Sequence, residues 1–265
     1  MCFDGKARAP FEEDAIVRSN EQVGPRLYKV TLAAPRTAAA IEPGQFVHLL
    51  IPGFEAHILR RPFSVYRANG DLGEVEVIYQ TVGAGTRFMA GLRPGANCSL
   101  IAPLGHGWQP TGGRSLLVGG GVGAAPLFMF AERLIELGTP TEVVLGAQTA
   151  SMLVTRDDYA ELLDRDPVIA TDDGSEGYAG FCTEPVRELL QIGEFSAVYC
   201  CGPEPLMRAV AGLSADAGVP CWVSMEKRMA CGVGACLSCV VETTSGKRRS
   251  CVDGPVFPAS EVVWR

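Results

Sequence analysis

The stretch Ser115–Leu137, SLLVGGGVGAAPLFMFAERLIEL, decides the fold. It begins as a short apolar run of strand length, passes through glycines at 119, 120, 121 and 123, and continues from Pro126 into a segment with helical spacing of its apolar residues. TEVVLGAQ, residues 141–148, then reads as a second strand. Strand, glycine turn, helix and strand in that order predict a parallel sheet with helices packed on it. The glycines permit close approach of a dinucleotide where the strand hands over to the helix. The match to G-x-G-x-x-G is incomplete, because Pro126 stands in place of the last glycine and no acidic residue about 20 positions on is suited to a ribose. A tight structural turn is the competing reading. Two later segments have the form of further strand ends, Thr171-Asp172-Asp173-Gly174 and Cys200-Cys201-Gly202-Pro203. Ligands of open parallel sheets lie at the carboxyl ends of the strands, where all three segments are expected to converge. Simple burial is the other account of Cys201.

On the N-terminal side, residues 12–108 are rich in short β-type runs, AIVRS, RLYKVTL, QFVHLLIP and EVEVIYQ, separated by Gly and Pro turns. That pattern predicts an antiparallel barrel or sandwich. Within it, Arg60-Arg61-Pro62-Phe63-Ser64-Val65-Tyr66 offers an arginine able to pair bidentately with a pyrophosphate, a proline that fixes the backbone, and a small hydroxyl. An ordinary strand with a charged edge has the same composition. A second segment, Val82-Gly83-Ala84-Gly85-Thr86, can present its N–H groups as an anion-binding nest, so a phosphate lying between the two is expected.

On the C-terminal side, Cys231, Cys236, Cys239 and Cys251 form a CxxxxCxxC run with a fourth thiol after eleven intervening residues. This is a plant-type spacing for a [2Fe–2S] cluster, and the intervening Gly232, Val233, Gly234 and Ala235 give the first loop few side chains, so that its N–H groups can reach the cluster sulfurs. Four thiolates also make a closed zinc site, which usually takes two CxxC-like knuckles, and disulfides are a further alternative. CVVETTSGKRRSCV reads as a hairpin turning at Ser245-Gly246, and its basic tip, Lys247-Arg248-Arg249, could guide a docking partner or simply be solvated. His48, His57 and His106 have neither metal nor triad spacing, which favours core or surface roles.

The chain has 265 residues, 47% hydrophobic and 20% charged, enough for two domains and a small appendage. Its longest apolar run, Leu116 to Phe130, is broken by glycines and a proline, so no membrane span is expected. Ten cysteines behind an N-terminus without a signal-peptide core imply reduced thiols and a cytoplasmic setting. A net charge of −7 argues against a nucleic-acid surface.

Taken in order, RPFS, GAGT, GGGVGAAP, TDDG and CGP resemble the motifs of the ferredoxin–NADP reductase superfamily over residues 12–220. The tail MEKRMACGVGACLSC followed by CVDGPVF resembles one branch of it, the electron transfer subunits of NAD-dependent dihydroorotate dehydrogenase B. The resemblance implies an FAD-binding antiparallel β-barrel over residues 1–109, a Rossmann-like NAD-binding α/β domain over 110–222 and a small [2Fe–2S] domain over 223–265. It implies that Arg61, Pro62, Phe63 and Ser64 bind FAD, with Ile78, Tyr79, Gln80, Gly85 and Thr86. Gly119, Gly121, Gly123, Cys201, Gly202 and Pro203 would form the NAD site, and Cys231, Cys236, Cys239 and Cys251 would hold the cluster.

A cluster passes single electrons, NAD takes a hydride, and a flavin can do both, so these cofactors impose the order cluster, FAD, NAD, with no side chain needed as acid or base. The implied partner is an FMN-containing dihydroorotate dehydrogenase catalytic subunit, two copies of each chain forming a heterotetramer, in pyrimidine (UMP) biosynthesis. NAD is expected over NADP because the loop 146–150 has no arginine for a 2′-phosphate and Arg156 is the first candidate. The alternatives are the reductase subunit of an NAD(P)H:ferredoxin or oxygenase system, a zinc-stabilised interaction protein, and a free-standing NADH oxidase.

Overall fold

The computed structural model describes residues 9–53 and 58–264, so His57 lies outside the described residues. The N-terminal half folds as seven antiparallel strands: β1 (Phe11–Gly24), β2 (Leu27–Ala33), β3 (Phe46–Leu50), β4 (Arg61–Ser64), β5 (Arg67–Asn69), β6 (Glu74–Gln80) and β7 (Asn97–Leu104). They are ordered β4-β3-β7-β1-β2-β6-β5. The two ends of this order, β4 and β5, are joined by Val65 and Tyr66 alone, and the Tyr66 N–H donates to the Glu76 carbonyl of β6, which draws the sheet round on itself. Alternation explains why these segments are strands. Ala15 and Val17 of β1, Val47 and Leu49 of β3, and Val75, Val77 and Tyr79 of β6 all point into one buried core, as a period of two requires. β1 extends well beyond the expected run and carries irregularities at Val17/Ser19 and Gln22/Gly24. Two short helices complete this half, α1 (Pro35–Ala38) and α2 (Ala84–Met89). The buried Glu13 carboxylate accepts from the Arg36 and Thr37 N–H groups and the Thr37 hydroxyl, which satisfies the start of α1.

The second half is a seven-stranded sheet. β8 (Ser115–Gly120), β9 (Thr141–Ala147), β10 (Val168–Thr171), β11 (Tyr178–Ala179), β12 (Ala197–Cys201) and β13 (Cys221–Ser224) are parallel, in the order β11-β10-β9-β8-β12-β13. Helices α3 (Ala125–Glu136), α4 (Arg156–Leu163), α5 (Thr183–Ile192) and α6 (Glu204–Asp216) connect them. Leu116, Val118, Val198 and Cys200 pack on one face with residues of α5 and α6, while Leu117, Tyr199 and Cys201 pack on the other with residues of α3 and α4. Both faces are covered, which is why these strands read as continuous apolar runs rather than alternating ones. The chain leaves β8 in one direction and returns to its other side at β12, so the order reverses between β8 and β12.

The C-terminal segment adds the hairpin β14 (Val240–Thr243) and β15 (Gly246–Arg249), then β16 (Val256–Pro258), which pairs antiparallel with β13 at the edge of the large sheet. The hairpin forms as expected, but its turn is Thr244-Ser245: Thr243 and Gly246 are its closing pair, and the Thr243 hydroxyl donates to the Gly246 carbonyl. Residues 225–239, which carry three of the four clustered cysteines, have no regular secondary structure.

The two sheets meet over a buried aromatic seam. Tyr66 lies 5.0 Å from Phe128 of α3, and Phe128 meets Tyr159 of α4 edge-on at 4.9 Å. The Tyr66 hydroxyl donates to Asp158, which also pairs with Arg67 at 3.1 Å, and the Arg67 guanidinium lies 4.4 Å from the centre of the Phe128 ring. Burial, followed by the Asp158 contact, pushes the Tyr66 phenol far above its ordinary range, so it remains a neutral donor. Phe128→Ala empties the middle of this seam. It should cost about 3–5 kcal/mol of stability, measured by denaturant unfolding of the purified chain.

Candidate redox site

The flavin-type segment Arg61-Pro62-Phe63-Ser64 is the whole of β4, so the plain-strand reading and the site reading describe the same residues. Its register on β3 pairs Phe46 with Ser64, Val47 with Phe63, His48 with Pro62 and Leu49 with Arg61. Directly opposed residues share a face of a sheet. Phe63 therefore joins Val47 on the core side, where it lies 5.8 Å from Tyr79, while Pro62 and Ser64 share the outer face with Phe46 and His48. The neighbouring Arg60 is a brace. Its guanidinium holds Glu12 at 2.5 Å and the Ser99 carbonyl at 2.7 Å, tying β4 to β1 and β7.

Arg61 and the GAGT segment are brought together, as expected. A Cβ on Gly85 would lie 2.8 Å from Arg61 Nε, so a larger residue there would push the guanidinium aside. The nest itself needs correction. The Thr86 hydroxyl accepts from the Val82 and Gly83 N–H groups at 2.9 and 3.1 Å, because the threonine at the third position of α2 closes back on the loop before it. Those donors are engaged within the chain. Ile78 and Tyr79, successive residues of β6, diverge: Ile78 faces the seam between the sheets and Tyr79 the barrel core, its hydroxyl donating to Asn20 at 3.0 Å. Gln80 ends the strand.

At the carboxyl edge of the parallel sheet, β8 ends at Gly120, a single 3-10 turn covers Gly121–Ala124, and Pro126 enters the first turn of α3. A Cβ on Gly123 would meet the Cys201 carbonyl at 2.6 Å and Gly202 Cα at 2.6 Å, and one on Gly120 would meet Pro203 Cδ at 3.1 Å. The glycine turn and Cys201-Gly202-Pro203 are thus pressed together where the strand order reverses, the crevice in which such sheets take ligands. Gly121, with φ +55° and nothing within 4 Å of its Cβ position, faces open space. Thr171-Asp172-Asp173-Gly174 shares this edge but follows β10, two strands from β8, and Asp173 accepts from the Ser175 hydroxyl and N–H. The expected three-way meeting is a two-part crevice with this loop to one side. Cys201 is buried, as the plainer account held, and burial pushes its thiol up to about 12.

The four clustered cysteines are gathered in two pairs. Cys239 Sγ lies 3.2 Å from Cys251 Sγ, both buried, and the Cys236 N–H donates to Cys231 Sγ at 3.4 Å nearer the surface. Among the described residues no three His, Cys, Asp or Glu side chains converge as ligands of one metal ion would. Two thiol pairs with no carboxylate among them suit a group with two irons, each taking two thiolates. Gly232 (φ +71°) and Gly234 (φ +82°) sit in the left-handed region that favours glycine, within the loop that the sequence shows to have few side chains. Cys236 and Ser238 lie 3.1 Å apart, and that hydroxyl also accepts from the Ala230 N–H. The Ser238 contact draws the Cys236 thiol down to about 6, while burial pushes Cys251 up to about 12.

Sequence reasoning missed the seat of these thiols. Phe46 of β3 and Leu104 of β7 form one buried apolar cluster with Cys239 and Cys251. His48, on the same face of β3, abuts Gly232. Arg249, read as part of a basic tip, holds Asp253 at 3.1 Å and donates to the Gly234 carbonyl at 3.2 Å, so it braces the loop, leaving Lys247 and Arg248 exposed. His106 is exposed, its N–H donating to the Gly254 carbonyl.

Residues 226–263 match the family described as the iron–sulfur cluster binding domain of dihydroorotate dehydrogenase B, and residues 117–212 match the oxidoreductase NAD-binding domain. The chain is 38% identical over 258 residues to the dihydroorotate dehydrogenase B (NAD(+)) electron transfer subunit of Geobacillus thermodenitrificans, covering 95% of this chain and 98% of that one. To the subunit of the same name from Bacillus velezensis it is 40% identical over 256 residues, covering 93% and 96%. A solved structure of NADH-dependent reduced ferredoxin–NADP oxidoreductase is similar with a TM-score of 0.86 at 28% identity, covering 99% of this chain and 92% of that one. The ferredoxin reductase of carbazole 1,9a-dioxygenase shares the fold, with a TM-score of 0.68 at 24% identity over 81% of this chain and 68% of that one. With relatives 38–40% identical over 93–95% of its length and a matching cluster-binding family over its C-terminal segment, the chain belongs to the family of dihydroorotate dehydrogenase B electron transfer subunits.

Proposed function

We propose that this chain carries electrons from a dihydroorotate-oxidising catalytic subunit to NAD+, as a cytoplasmic FAD- and [2Fe–2S]-containing oxidoreductase subunit of pyrimidine biosynthesis. The observation that carries the reading is the set of two thiol pairs, one of them, Cys239 and Cys251, seated on Phe46 of β3 next to the RPFS strand, in a chain whose other sheet offers a glycine crevice at its switch point. When bound, the cluster supplies one-electron transfer, FAD the exchange between single electrons and pairs, and NAD+ a hydride acceptor. The chain's own residues then have positioning tasks. Cys231, Cys236, Cys239 and Cys251 would ligate iron. Arg61 and Gly85, with Pro62, Phe63, Ser64, Ile78, Tyr79, Gln80 and Thr86, would hold the flavin. Gly119, Gly121, Gly123 and Cys201-Gly202-Pro203 would receive the nicotinamide nucleotide. Residues 1–109, 110–222 and 223–265 are the segments devoted to FAD, NAD and the cluster, although β16 lends the last segment's end to the nucleotide sheet.

The partner is an FMN-containing catalytic subunit, in a complex of two copies of each chain. Cys236 is exposed and is flanked by Val233 and Leu237, also exposed, which supports electron entry at this tip. Arg156 is ion-paired with Glu176 at 3.0 Å and with Asp166 at 3.6 Å. A 2′-phosphate would meet a guanidinium already engaged, which favours NAD over NADP. Among the described residues no helix is long and apolar enough to cross a membrane. The likeness to the ferredoxin–NADP oxidoreductase structure keeps a reductase of the ferredoxin type as the second reading.

Co-expression with the dihydroorotate-oxidising subunit should yield a complex that reduces NAD+ with dihydroorotate, while this chain alone does not. Reduction of NAD(P)+ by ferredoxin in the absence of that partner would favour the second reading instead. Arg61→Ala should weaken FAD by roughly ten- to a hundredfold, from the loss of about 1.5–3 kcal/mol of charge-assisted hydrogen bonding, and fluorescence titration of released flavin measures it. Cys236→Ser should lose the iron–sulfur absorption and keep FAD, as visible spectra and iron analysis would record.

A further inference from the structure

His48 is fully buried in the middle of β3. Its backbone pairs with Pro62 of β4 on one side and Ile101 of β7 on the other. Val47 and Leu49 point into the barrel core, so alternation sends His48 to the outer face. There a Cβ on Gly232 would lie 2.5 Å from His48 Nδ1, and the main chains of Cys231 and Arg60 also face the ring. Neither ring nitrogen makes a hydrogen bond of normal geometry within the chain.

An imidazole carries at least one N–H whatever its protonation state, and an unpartnered donor in a dry site is costly. A leucine would fill this place without that cost, since Phe46, two residues earlier on the same face, packs against Cys239 and Cys251 with carbon alone. The ring stands where the RPFS strand and the Cys231 corner come to a common neighbour.

We propose that His48 is a positioning residue for electron transfer: its N–H is directed at the Cys231–Gly232 corner, holding the thiol loop in register with the RPFS strand and favouring the reduced form of the iron–sulfur group. The inference rests on the cluster reading given above. Donors near a cluster and its ligands stabilise added negative charge and so raise its potential. The role differs from packing, which any side chain of similar volume would serve.

The test uses the full chain prepared anaerobically with FAD and cluster, comparing His48→Leu with His48→Asn, whose amide N–H can stand in for Nδ1. Iron and acid-labile sulfide are counted, the EPR spectrum of the reduced cluster is recorded, and its midpoint potential is titrated. His48→Leu should keep FAD, shift the EPR g-values and lower the potential, and His48→Asn should bring both back toward the parent. If His48→Leu sheds the cluster, retention by His48→Asn supports the proposal and loss by both overturns it. A loaded His48→Leu protein with the parental spectrum and potential overturns it, as does a His48→Asn protein no nearer the parent than His48→Leu. Absence of iron and sulfide from the parent chain would overturn this proposal together with the cluster reading.

Discussion

Phe46 and Leu104 on the barrel meet Cys239 and Cys251 of the C-terminal segment in one buried apolar cluster, and this seat fixes where the thiols stand relative to the RPFS strand beside it. The approach is possible because the loop carries glycines where side chains would hold it off. A methyl group at Gly232 would enter the His48 ring, and one at Gly105 would come within 2.5 Å of Pro255, next to where the His106 N–H bonds to the Gly254 carbonyl. Arg249 serves the same end from the other side, gripping Asp253 and the Gly234 carbonyl so that the loop is braced within its own hairpin.

The nucleotide sheet is held to the barrel by a different kind of contact. Tyr66, Phe128 and Tyr159 interlock as aromatic rings, which contribute beyond their buried area when edges meet faces. Arg67 lies over Phe128 and pairs with Asp158, and the Tyr66 hydroxyl shares that carboxylate, so these three polar groups satisfy one another. β16 adds a covalent tie: the segment that carries the thiols ends as a strand of the nucleotide sheet. The RPFS strand, the glycine crevice and the thiols thus belong to one connected frame.

Much of this was legible in the residues. Strands β2 and β6, the turn into α3 and the C-terminal hairpin follow from alternation, glycine placement and turn chemistry, which act over a few residues. The thiol spacing carried its own meaning for the same reason, since ligand geometry constrains neighbours in the chain. What the reading misjudged involves side chains that turn back on the main chain, some within a few residues and some across the whole chain. The nest at Val82-Gly83 looked available because the sequence does not reveal that the Thr86 hydroxyl turns back on it. Arg249 looked like part of a solvated tip because Asp253 and Gly234 meet it only in the folded loop. His48 looked like an ordinary core residue because nothing local announces that Gly232, 184 positions away, lies against its ring.

The sequence by itself determined the barrel, the parallel sheet and the thiol set, because periodicity, turn chemistry and ligand type are local properties of a chain. Only the tertiary structure decided that the thiols form two pairs, of which Cys239 and Cys251 rest on Phe46 of β3, that the glycine turn closes on Cys201-Gly202-Pro203, and that a buried imidazole stands between the RPFS strand and the thiol loop. Those facts depend on which distant surfaces are left to cover one another once each element has formed, and burial chooses among such pairings only in the assembled molecule.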